Sequence, residues 1–210
     1  MRKTVLIAAA LFLVAGTAFA VPVVDFASSA FSGVDNQTSK TVTYGAVDYT
    51  FKAYPTGSKL TWNPGDGIGI NDDEISGAIL DKYDELLEIG FSKPLYVTGI
   101  HITDLFYENG YREEGLYKLY YASGGWSAWI PFQALFSQVP GTTNGELFIA
   151  LSPANLLGLK FTTPDYCLGL LDPRNDYSVR GIDVPEPATM LLLGCGLMGV
   201  AALGRKKLIR

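Results

Sequence analysis

Val47-Asp48-Tyr49-Thr50-Phe51-Lys52-Ala53 alternates without a break, with Val47, Tyr49, Phe51 and Ala53 on one side of an extended chain and Asp48, Thr50 and Lys52 on the other. Successive side chains of a strand point to opposite faces, so the segment Lys40 to Tyr54 reads as strand with one buried face. Shorter runs of the same kind follow: Lys59 to Trp62, Leu86 to Phe91, Tyr96 to Asp104, Gly115 to Tyr121, Glu146 to Leu151, Leu157 to Thr162 and Tyr177 to Val184. Turn-forming clusters separate them, among them Asn63-Pro64-Gly65-Asp66-Gly67, Ser123-Gly124-Gly125 and Pro140-Gly141-Thr142-Thr143-Asn144-Gly145. Roughly eight or nine short strands at this spacing predict an all-β fold, an antiparallel β-sandwich of jelly-roll type. Two segments have a spacing that admits a short helix: Asp73 to Leu87, with Ile75, Ala78, Ile79, Tyr83 and Leu86, and Trp129 to Phe136 after Pro131.

The ends read differently from the middle. Arg2-Lys3, the apolar run Val5 to Val14 and the small residues Ala18 and Ala20 have the order of a secretory signal peptide. Signal peptidase is then a partner, cleavage after Ala20 leaves Val21 as the mature start, and residues 1–20 are the signal. At the other end Val184-Pro185-Glu186-Pro187 leads into the uncharged apolar stretch Ala188 to Gly204, followed by Arg205-Lys206-Lys207. As a helix that stretch is roughly 25 Å long, at the short end of what crosses a bilayer. Basic residues tend to stay cytoplasmic, so Arg205, Lys206 and Lys207 act as a membrane stop and place residues 21–183 outside the inner membrane.

Pro185-Glu186-Pro187-Ala188-Thr189, the apolar stretch with Gly194, Gly196 and Gly199, and the terminal basic cluster together resemble the PEP-CTERM sorting domain. The resemblance covers the tail, residues 184–210. It implies a signal read by exosortases of Gram-negative bacteria that make extracellular polysaccharide, with Pro185, Glu186 and Pro187 as the processing region. It also implies an inner-membrane precursor and a final place at the cell surface or outside it.

Between the signals lie all 21 acidic residues and ten of the 16 basic ones, a formal charge of −11 for residues 21–187. Duplex binding depends on Lys and Arg neutralising phosphates, so this balance argues against nucleic acid. Cys167 lies in the exported segment and Cys195 in the apolar tail, so the two form no staple for the domain. The loop from Trp62 to Ile75 gathers Asp66, Asn71, Asp72, Asp73 and Glu74 around glycines, oxygen ligands of the kind Ca²⁺ prefers, although the spacing is not that of an EF-hand.

Catalytic signals are sparse. His101 is the one histidine, and the flanking Ile100 and Ile102 put it on the outward face of its strand. No Gly-x-Ser-x-Gly elbow accompanies it, and one His with one exported Cys supplies a zinc site poorly. A glycosidase needs only two carboxyl groups across a cleft, for which Glu74, Glu113 and Glu114 are candidates. Aromatic residues are plentiful near predicted loops and strand ends: Trp62, Trp126, Trp129, Tyr107, Tyr111, Tyr117, Tyr120 and Tyr121. Flat rings beside polar groups are what sugar faces stack on, and Trp62, Trp126 and Trp129 are the candidate stacking residues, with Trp126 exposed beside Gly124-Gly125. These features predict a non-enzymatic structural or adhesive domain that binds polysaccharide, with a carboxylate-dependent glycoside hydrolase as the alternative.

Overall fold

A computed structural model describes residues 24–71, 74–76, 85–108, 111–135, 145–164 and 175–185. Its strands are β1 (Val24–Asp25), β2 (Ser39–Tyr44), β3 (Val47–Tyr54), β4 (Leu60–Asn63), β5 (Gly67–Ile70), β6 (Leu86–Thr103), β7 (Tyr107–Glu108), β8 (Tyr111–Arg112), β9 (Glu114–Tyr121), β10 (Ile130–Gln133), β11 (Leu147–Thr162) and β12 (Ser178–Asp183). A 3-10 helix, Ser29–Val34, follows β1 and is capped by the Ser28 hydroxyl, which accepts from the Ala30 N–H.

The all-β, antiparallel reading holds. Ten of the strands form one continuous curled sheet, with β10-β9-β11-β6-β12-β5-β4 along its main path, β1 added beside β12, and the β2–β3 hairpin added beside β6. Strands β7 and β8 pair separately. The sheet curls because β6 and β11 are long, at 18 and 16 residues, and change neighbours midway. The first half of β6 pairs with β3, from Tyr49↔Phe91 to Tyr54↔Leu86, and its second half pairs with β12, from Ser178↔Thr103 to Asp183↔Gly99. β11 lies beside β6 throughout, and its register shifts between Ala150 and Ala154 and again between Leu156 and Gly158. Such bulges bend a strand and deepen its twist.

These long strands correct two expectations. Leu86 to Phe91 and Tyr96 to Asp104 are parts of one strand, as are Glu146 to Leu151 and Leu157 to Thr162, because Pro94 and Pro153 sit at the irregular positions where a missing N–H breaks no ladder bond. The helical turn expected after Pro131 is instead strand β10, at the sheet edge, with Pro131 opposite Leu116. In the segment Asp73 to Leu87, Leu86 and Leu87 already belong to β6, and residues 77–84 lie outside the described residues.

Register explains the core. Residues directly opposite in neighbouring strands share a face, so one row runs Ala53, Leu87, Phe161, Tyr117 and Ile130, and another runs Val24, Ile182, Ile100 and Ile149. Both rows belong to a single apolar cluster. Phe26, just after β1, meets Phe51 of β3 edge to face at 5.3 Å and Phe31 at 5.2 Å, which ties the chain after β1 to the β3 end of the core. Gly67 is required at the β4–β5 turn, since its φ is +108° and a Cβ there would lie 2.4 Å from the Val179 carbonyl oxygen.

Candidate functional site

The outward rows of the first half-sheet are as regular as the inward ones. Thr41, Thr50, Gly90, Gly158 and Tyr120 are successive cross-strand partners, and Tyr120 is bridged in turn to Trp126. Tyr120 and Trp126 stack with ring centroids 4.9 Å apart and planes 25° apart, and Trp126 keeps 38% of its surface exposed. The two glycines carry no side chains, so the row steps down from the stacked rings to the Thr41 and Thr50 hydroxyls, which share a hydrogen bond of 2.9 Å.

Beside it runs a charged row, Lys52, Glu88, Lys160 and Lys118, again successive partners. Glu88 pairs with Lys160 at 3.0 Å and with Lys52 at 3.7 Å. The Lys160 ammonium stands 4.7 Å from the Trp126 ring centroid and the Lys118 ammonium 4.6 Å from that of Trp129. Trp126 and Trp129, two of the three candidate stacking residues, therefore lie with Tyr120 of β9 on the face that carries Lys118 and Lys160. Trp62 does not join them: it is half-buried against the core, and its indole N–H donates to the Phe26 carbonyl at 2.9 Å.

The acidic loop is divided by strand β5. Asp66 precedes it and Asn71 follows it, roughly 16 Å apart at about 3.3 Å per residue, too far to hold one Ca²⁺ whose ligands lie at about 2.3–2.6 Å. Asn71 is already engaged: its side-chain oxygen accepts from the Lys59 N–H at 3.0 Å, and its amide donates to the Glu85 carboxylate oxygen Oε1. A calcium site using both Asp66 and Asn71 is thus corrected by the fold. Asp72 and Asp73 lie outside the described residues, and Glu74 approaches Glu113 instead. Among the described residues no group of three or more His, Cys, Asp and Glu is arranged to hold a metal ion.

Glu113 is the most perturbed carboxyl group. Its Oε2 accepts the Phe106 N–H, and it hydrogen-bonds the Asp176 side chain. Burial pushes it up to about 9, and the Asp176 contact and the charge of Glu74 act in the same direction against the Phe106 bond. Glu114, the third carboxylate named from the sequence, is exposed, with its backbone N–H donating to Asn175 Oδ1 at 3.1 Å.

His101 does face away from the core, as alternation predicts, but it is not a free surface residue. Its side chain is only 16% exposed because Phe148 packs on the ring at 4.9 Å and Asp183 Oδ1 lies 3.0 Å from Nε2. Gly99 makes room for this, since a Cβ there would stand 2.3 Å from Phe148 Cε2. Sequence reasoning missed the dyad because Asp183 becomes a neighbour only through the β6–β12 pairing.

β12 ends at Asp183 and is flanked on both sides, by β6 on one and by β5 and β1 on the other. Val184 packs against the core and Pro185 is half-buried, so the chain leaves the sheet at the start of the Pro-Glu-Pro sequence. Ala18, Ala20, Val21, Glu186, Pro187, Cys167, the apolar stretch 188–204 and Arg205, Lys206 and Lys207 lie outside the described residues. Among the described residues no helix is long and apolar enough to cross a membrane.

No curated protein and no solved structure matches the chain. One family model does, that of the PEP-CTERM protein-sorting motif, over residues 183–207. The match covers the tail alone and begins at the last residue of β12. Such a motif implies an exosortase as processing partner and export toward the cell surface. The chain is thus a protein bearing a PEP-CTERM protein-sorting motif, which starts where the last strand of its β-domain ends.

Proposed function

We propose that this protein is a non-enzymatic, polysaccharide-binding or adhesive element of the extracellular matrix, exported through the signal at residues 1–20 and held at the inner membrane by residues 188–204 until processed at Pro185-Glu186-Pro187. The observation that carries the binding reading is the outward row from Trp126 and Tyr120 across Gly158 and Gly90 to Thr50 and Thr41. Stacked rings with hydroxyls in line across a sheet offer a sugar chain both its apolar faces and its hydrogen bonds. The two halves of the curled sheet then serve as the layers of a sandwich, one of which presents this face.

The carboxyl geometry weighs against the glycosidase alternative. Glu113 and Asp176 are hydrogen-bonded to each other, closer than the ~5 Å at which a retaining pair flanks a glycosidic bond. Burial holds Glu113 up at about 9 in that contact. The short connection to the tail also has a consequence for sorting. Four residues lie between Asp183 and Ala188, five steps and at most about 18 Å of extended chain, so the folded domain rests against the membrane before processing.

The test is co-sedimentation of the full chain, in non-ionic detergent, with extracellular polysaccharide from its host, together with an assay for released reducing ends. Binding without release supports the reading. Release that a Glu113→Gln substitution abolishes would replace it with the enzyme.

A further inference from the structure

We infer that the aromatic face takes an acidic polysaccharide, one carrying carboxylate groups, and that Lys118 and Lys160 are the residues that select it. This rests on the glycan-binding reading above and adds the class of glycan. Lys118 and Lys160 are directly opposite each other on β9 and β11. Like charges in that position repel and weaken a sheet, so the pair is an unfavourable arrangement for the fold alone. Both ammonium groups are nevertheless held in place, each over an indole at 4.6 or 4.7 Å. Among the described residues the ion pairs of this row run only to Glu88, which serves both Lys52 and Lys160. The row thus sets three ammonium groups against one carboxylate, which pairs with two of them, and among the described residues Lys118 has a ring but no counter-charge.

The setting sharpens the point. Residues 21–187 carry a formal charge of −11, so an anionic polymer is repelled by the domain as a whole and admitted where the potential is locally reversed. The lysine row lies beside the Tyr120–Trp126 row, two residues along the same strands. A sugar chain laid on the rings and threonine hydroxyls therefore brings its carboxylate substituents over Lys160 and Lys118. A polyanion without sugar rings would meet the lysines and leave the aromatic row unused.

The experiment is native gel electrophoresis of the full chain, in non-ionic detergent, through gels containing carboxymethylcellulose, hydroxyethylcellulose or polyglutamate. The first two polymers share one glucan backbone and differ in charge. Stronger retardation by carboxymethylcellulose than by hydroxyethylcellulose, weakened about three- to fivefold by Lys118→Met or Lys160→Met and kept by Lys118→Arg, is the expected result. Equal retardation by both cellulose derivatives would overturn the acidic preference while leaving the glycan-binding reading intact. Retardation by neither, or by polyglutamate as strongly as by carboxymethylcellulose, would overturn both. Lys118→Arg separates charge from folding, because it preserves the cation over Trp129.

Discussion

His101 Nε2 lies 3.0 Å from Asp183 Oδ1, and this contact joins the C-terminal end of the longest strand to the residue at which the sorting motif begins. Asp183→Ala removes a partner from a largely covered imidazole and should cost about 1–2 kcal/mol in urea unfolding. A value within ~0.3 kcal/mol of the unchanged protein would show that the contact contributes nothing to the fold.

A side chain at Gly99 would force the Phe148 ring off its place over His101. Gly99→Ala drives a Cβ into the ring and is expected to destabilise by about 1–3 kcal/mol. Combining it with Phe148→Ala should recover part of that loss, because the two changes act on one contact. Strict additivity of the pair would contradict the close approach.

Glu113 makes stability depend on pH. Burial raises its carboxyl from an ordinary 4.5 to about 9, so across that window the fold retains a proton that the unfolded chain has lost. Its contribution is therefore complete below about pH 4.5 and declines as pH rises toward 9. Glu113→Gln keeps a donor for Asp176 and an acceptor for the Phe106 N–H. It should raise the melting temperature at pH 8 more than at pH 5, by the equivalent of roughly 1 kcal/mol after solvent screening of a half-exposed group. An equal effect at both pH values would rule out the retained proton.

Much of this could be read from the chain, and the remainder has a common cause. The alternation of Val47 to Ala53 marks β3 with its correct face, and Gly124-Gly125 marks Trp126 as exposed. Leu86 to Phe91 and Tyr96 to Asp104 read as separate runs, as do Glu146 to Leu151 and Leu157 to Thr162, because local alternation does not show that an irregular stretch can be carried inside one long strand by a bulge. Trp62 and Trp129 have similar local surroundings, and only the tertiary fold sends one to the Phe26 carbonyl and the other under Lys118. The pairs Lys118 with Lys160, His101 with Asp183 and Glu113 with Asp176 all depend on register or on distant loops. No local pattern encodes them.

The tryptophans should therefore separate into two kinds. Trp62→Phe removes the hydrogen bond to Phe26 and is expected to lower stability by about 1 kcal/mol, while leaving polysaccharide binding unchanged. Trp126→Ala should leave stability within about 1 kcal/mol and weaken binding. Unfolding curves and sedimentation on the same samples check both, and a reversal of the two patterns would remove the aromatic face from consideration.

The most direct test of that face compares two full-length variants in co-sedimentation with the host's extracellular polysaccharide. Tyr120→Ala with Trp126→Ala removes the stacked pair, whereas Phe148→Ala removes an equally prominent ring, 50% exposed, beside His101 on the other half of the sheet. Binding lost in the first and kept in the second is the predicted result. Binding kept in the first would contradict the assignment of this face to polysaccharide.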